Sequence, residues 1–82
     1  MLKEASSWYC PFMSEIVLNK VYNLRVKHNL TQEGLAQKVY VSRQTIIAIE
    51  KGNYTPSVLL ALRIANVFKV SVEDIFQISH GK

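Results

Sequence analysis

An all-α fold of five short helices is what the sequence predicts, on three observations. Apolar residues from Ile16 to Phe76 recur at spacings of three and four with charges between them, which is the period of one helical face. No segment alternates apolar and polar residues with period two over a useful length, so no strand is required. Helix start signals recur along the chain at Thr31, Ser42, Thr55 followed by Pro56, and Ser71, each placed just ahead of an apolar-periodic stretch.

The first helix is expected from Glu15 to about His28, carried by Ile16, Val17, Val21 and Leu24, with Asn29 suited to its end. Thr31 offers an N-cap hydroxyl to the second, which places Leu35, Ala36 and Val39 on one face and Gln32, Glu33, Gln37 and Lys38 on the other. Ser42 caps the third, which ends near Lys51, with Gly52 where a left-handed residue closes a helix. The fourth is expected to start at Thr55, with Pro56 in its first position, and to run to about Phe68. Ser71 and Asp74 have the spacing of a capping box for a fifth, ending at about Phe76.

With 82 residues, 49% of them apolar, the chain can build one core and no more. It has no internal repeat and no linker, so residues 14–78 are expected to form one domain, with an arm at 1–13 and a short tail at 79–82. The arm, MLKEASSWYCPFM, gathers Trp8, Tyr9, Cys10, Pro11 and Phe12 without any period. It reads either as a partly disordered tail or upstream extension, with Met13 as an alternative start, or as an aromatic arm that packs on a partner.

Lys and Arg outnumber Asp and Glu by 10 to 6, for a pI near 9.4. The excess is central: Lys20, Arg25, Lys27, Lys38, Arg43 and Lys51 meet only Glu33 and Glu50 there, a balance that suits a polyanionic partner. The single cysteine, Cys10, cannot form an intramolecular disulfide and points to a reducing, cytoplasmic setting. No apolar run reaches membrane-spanning length. Cys10, His28 and His80 lack zinc spacing, there is no glycine-rich phosphate loop, and neither catalysis nor a metal, cofactor or small-molecule ligand is expected.

On a helical wheel the third helix turns Ile46, Ile49 and Glu50 inward and Arg43, Gln44, Ile47, Ala48 and Lys51 outward. Arg can pair bidentately with guanine and Gln with adenine in the major groove, while Ile47 and Ala48 offer apolar surface to a thymine methyl. Both polar residues sit in the first turn, the end a recognition helix pushes into the groove. An exposed Arg and Gln are also what an ordinary solvated helix presents, so the surrounding pattern decides between the two.

That pattern is LTQEGLAQKVYVSRQTIIAIEKG at residues 30–52 followed by TPS at 55–57, and it resembles the Cro/C1-type (XRE) helix-turn-helix family. The resemblance runs from about Val17 to Phe76. It implies a compact, lambda-repressor-like five-helix DNA-binding domain whose second and third helices form the reading motif, acting as a homodimer on palindromic double-stranded DNA, most often as a repressor. By the same resemblance Arg43, Gln44, Ile47 and Ala48 read bases, while Gln32, Ser42, Lys51, Asn53 and Lys38 contact phosphates. Arg25 would pair with Glu50, and the inward position of Glu50 independently calls for a cation, because an unpaired carboxylate there is costly.

Four residues depart from the family pattern. Tyr40 and Lys69 stand where glycine is usual; at Tyr40 a left-handed backbone costs a residue with a Cβ about 1–2 kcal/mol. Gly34 replaces an acidic residue and weakens the second helix by about 1 kcal/mol. Leu59 makes the fourth helix apolar nearly all round, so it needs cover on two sides. That cover is either Trp8, Tyr9 and Phe12 from the arm or a dimer partner. A protein-interaction module or an antitoxin, using the fourth helix and the arm, is the competing function.

Overall fold

The computed structural model describes residues 15–80, so the aromatic arm and Cys10 lie outside the described residues. Strand β1 (Glu15–Asn19) is followed by helices α1 (Val21–Lys27), α2 (Gln32–Val39), α3 (Arg43–Glu50), α4 (Val58–Phe68) and α5 (Val72–Ile75), and the chain closes with strand β2 (Phe76–His80). Five helices around one core are the architecture expected from the sequence.

The two strands are not. β1 and β2 pair antiparallel, with Val17 opposite Ile78 and Asn19 opposite Phe76, and the ladder runs on into the helical body through the Lys20 N–H, which donates to the Ile75 carbonyl at 3.0 Å. Residues 15–19, read as the first turn of a helix, are therefore extended, and β2 takes in Ser79 and His80, which were assigned to the tail. The reason is local at one end and remote at the other. Asn19 accepts from the Val21 N–H through Oδ1 (3.1 Å) and donates through Nδ2 to the Ile49 carbonyl (2.8 Å), so helix α1 begins only after it. The branched pair Ile16–Val17 then suits a strand, provided that the far end of the chain supplies a partner.

Caps fix the remaining boundaries. Thr31 accepts from the Gly34 N–H at 2.9 Å and Ser42 from the Thr45 N–H at 3.3 Å, as expected. Helix α4 starts two residues later than expected: Ser57, not Thr55, accepts from the Leu60 N–H at 3.2 Å. Serine is the better cap of the two, and Pro56 precedes the helix instead of opening it. Asp74 accepts from the Ser71 N–H at 3.2 Å at the start of α5, and Phe76 has already turned extended.

Val21, Leu35, Val39, Ile46, Ile49, Ile64 and Ile75 are fully buried, with Ala36, Leu60, Ala65 and Phe68 beside them. Each large side chain taken out of water contributes roughly 1.5–3 kcal/mol. Among the described residues no polar or charged residue is fully buried.

Candidate nucleic-acid interface

The first link in the interface is burial on one side of α3. Ile46 and Ile49 have no exposed surface, which fixes the rotation of the helix about its axis. Arg43, Gln44 and Lys51 are then left in solvent, and Ile47 and Ala48 lie half-buried along the flank of the exposed face. The Ser42 cap and the start of α3 are exposed with them, so the uncompensated N–H groups of the first turn are open to an anion.

The second link is at the other end of α3. Glu50 accepts from Arg25 Nε at 2.6 Å and from Arg25 Nη2 at 3.2 Å, a two-pronged pair whose side chains retain 11% (Arg25) and 7% (Glu50) of their surface. Arg25 Nη1 also donates to the Leu30 carbonyl at 2.9 Å, and the Tyr22 ring lies 5.2 Å from the guanidinium. The hydrogen bond to Glu50 raises the Arg25 pKa further above its ordinary value; partial burial opposes this, while the Glu50 charge and Tyr22 add to it. A raised cationic pKa stabilises the fold below the ordinary arginine value, and that contribution is lost only as pH climbs through the raised one. The guanidinium thus stays charged at any physiological pH.

Gln32, expected at a phosphate, also joins this pair, a contact that sequence reasoning did not anticipate. Its Nε2 donates to Glu50 Oε1 at 3.1 Å, so the first residue of α2 is tied to the last of α3. No spacing in the chain marks this contact, because it depends on how α2 packs across α3. An amide carries two N–H donors; with one held by Glu50, the side chain is oriented and the other remains for an incoming acceptor.

These links set a scale. Eight helical residues span about 12 Å, comparable with the width of the major groove. Ser42 stands at one end of that span, and Gln32, Lys51 and Asn53 gather at or just beyond the other, with Arg43 and Gln44 in the first turn. Gly52 carries φ 80° and lets the chain leave α3 toward the exposed Asn53. Lys38 is separate: it lies in the last turn of α2 and faces a cleft with His28, Tyr40 and Lys69.

The family profile described as helix-turn-helix matches residues 21–75, which spans α1 to α5. The chain belongs to the helix-turn-helix family. Within it, the chain is 64% identical over 58 residues to an uncharacterized HTH-type transcriptional regulator, MJ0272, of Methanocaldococcus jannaschii, covering 71% of this chain and 88% of that protein. It is 52% identical over 58 residues to the uncharacterized HTH-type transcriptional regulator YgzD of Bacillus subtilis, with the same coverage of each chain. Among solved structures, the restriction-modification controller protein C.AhdI of Aeromonas hydrophila shares the fold with a TM-score of 0.63 at 24% identity, over 67% of this chain and 83% of that one. The resemblance read from residues 30–57 therefore holds at the level of family and fold.

Proposed function

We propose that this helix-turn-helix protein is a sequence-specific DNA-binding transcriptional regulator that lays α3 in the major groove of an operator. The observation that carries the reading is the construction of α3: Ile46 and Ile49 are locked in the core, Glu50 is held by Arg25 and Gln32, and Arg43 and Gln44 stand free at the capped N-terminus. In this reading Arg43 and Gln44 pair with base edges, and Ile47 and Ala48 meet apolar base surface. Ser42, Gln32, Lys51 and Asn53 hold the two phosphate rows that border the groove. The protein works in the cytoplasm, where its DNA is.

A domain seated this way covers the base pairs it reads and excludes other proteins from them, which favours repression. A second copy completes the reading. Val58, Leu59 and Leu62 share one face of α4 and are 76%, 57% and 49% exposed, the kind of apolar surface a monomer seldom leaves in water. Pairing there gives two reading helices and a palindromic site, with half-sites one helical turn, about 34 Å, apart.

The test is binding to operator fragments selected from the source genome, measured across salt. The logarithm of affinity should fall linearly with the logarithm of salt, by about 0.9 for each phosphate neutralised. No binding to any genomic fragment at low salt would overturn the reading. Sedimentation with and without operator tests the second copy.

A further inference from the structure

The ribbon of β1 and β2 has the least support behind it of any part of the described fold. Two strands alone are marginal in water, and such a ribbon holds when an apolar face is covered. Val17 and Ile78 stand opposite each other across the ladder, as do Asn19 and Phe76 two residues on, so all four side chains leave from one face. Phe76 packs against the core, whereas Val17 and Ile78 remain 37% and 65% exposed.

That face does not end at the ribbon. Val17, Phe76 and Ile78 line a shallow depression of roughly 180 Å³ with Pro56 and Val72, and Val72 also rests on the core, so its floor is fixed. The polar residues at its edge are Thr55 and Gln77, and Gln77 turns its amide N–H to the Glu73 carbonyl at 3.4 Å. No charged side chain lines it. Val58 and Leu59 open α4 two and three residues beyond Pro56 and are exposed, which carries the apolar surface on from the depression to the flank of α4.

Charge, area and chain direction together select the occupant. The chain carries a net charge of +4, part of it on α3 at the exposed Arg43 and Lys51, so two copies repel where those faces meet and approach most easily through an uncharged one. A stable pairing takes about 500–800 Å² from each partner; the face of a five-residue ribbon, about 16 Å long, supplies part of that area and the α4 flank adds to it. Lys20 and Ile75 join one end of the ladder to the helical body, and Glu15 and His80 form the other. The depression lies toward the body, against Pro56 and Val72, while the segment that precedes Glu15 joins the ribbon at its far end.

We infer that this surface seats a second copy of the chain about a two-fold axis, with Ile78 of each copy entering the depression of the other beside Pro56 and Val72. The inference rests on the second copy of the proposed function and gives it a place: pairing is centred on the ribbon face, and the flank of α4 widens it. Pro56 follows Asn53 by three residues, so the axis passes beside the loop that leaves α3 and the two reading helices stand on either side of it.

Sedimentation equilibrium of the full chain without DNA tests this. The parent should be a dimer at micromolar concentration, and added salt should leave its association unchanged or stronger, because no ion pair is made and the repulsion of like charges is screened. Ile78→Lys should weaken association at least about tenfold, while Leu18→Lys, on the other face of the same ribbon, should leave it unchanged; the comparison separates loss of docking from loss of the ribbon. In dimers mixed from isotope-labelled and unlabelled chains, Overhauser contacts between copies should join Ile78 to Pro56 and Val72. A monomeric parent, equal weakening by the two lysines, or contacts to Ile78 from Trp8 or Phe12 of the same chain would overturn the assignment. Operator binding is measured separately: a dimer that binds no genomic fragment removes the DNA reading and leaves this surface, and a monomer that binds DNA does the opposite.

Discussion

The two ends of α3 are built in opposite ways. At the C-terminal end Glu50 accepts two bonds from Arg25 and one from Gln32, with little surface left to water. At the N-terminal end Arg43 and Gln44 have only the backbone cap from Ser42 behind them and stand in solvent. The difference teaches how an eight-residue helix, too short to be stable alone, can serve as a reading element. One end is tied to two other helices so that the other can present unpaired side chains in a fixed position. Stability is concentrated at the tied end, and the side chains that the proposed function turns toward base edges stand at the end that adds little stability.

Removing the tie should have the largest effect. Glu50→Ala leaves the Arg25 guanidinium without its partner in a mostly desolvated place, and a loss of roughly 3 kcal/mol is expected in denaturant unfolding. Replacing both partners, Arg25→Met with Glu50→Leu, should cost less than Glu50→Ala alone; an equal or larger loss would mean that Glu50 acts through something other than the pair. Next is the free end. Arg43→Ala should leave unfolding within about 0.5 kcal/mol of the parent and lower discrimination at one base position by about 1–3 kcal/mol, read by binding to operators varied at each position. Gln32→Ala lies between the two ends in character: the loss of about 1 kcal/mol should fall on cognate and scrambled DNA alike. Equal behaviour of Arg43→Ala and Gln32→Ala on the two DNAs would erase the contrast between reading and positioning.

The smallest effect is expected at the turn that leads into α3. Tyr40 holds φ 63° where Gly52, at the exit of α3, holds φ 80°; the angle is free to glycine and costs tyrosine about 1–2 kcal/mol. Tyr40→Gly should gain no more than about 1 kcal/mol in thermal unfolding, because greater freedom of the unfolded chain and loss of the Arg63 contact offset part of the relief. A destabilised variant would show that the tyrosine side chain supports the turn.

Much of α2 and α3 was legible in the sequence. Thr31 and Ser42 cap where they were expected to, Asn29, Tyr40 and Gly52 carry the left-handed angles, and Ile46 and Ile49 face the core. The pair Arg25–Glu50 was reached from the inward position of Glu50 and from the family resemblance. The start of α1 was misread because Ile16, Val17 and Val21 satisfy a helical spacing equally well, and a five-residue strand has too few positions to declare its period. The start of α4 was misread because Thr55–Pro56 and Ser57 offer two start signals within three residues.

By itself, then, the sequence determined that there are five helices, the caps of α2, α3 and α5, and the outward face of α3, since a cap or an apolar stripe acts over one or two turns and its signature lies in neighbouring residues. Only the tertiary structure decided that Glu15–Asn19 pairs with Phe76–His80 and that Gln32 is fastened to Glu50. Each of these joins residues far apart in the chain. Their energy depends on how the helices pack around the shared core, and no local spacing records that.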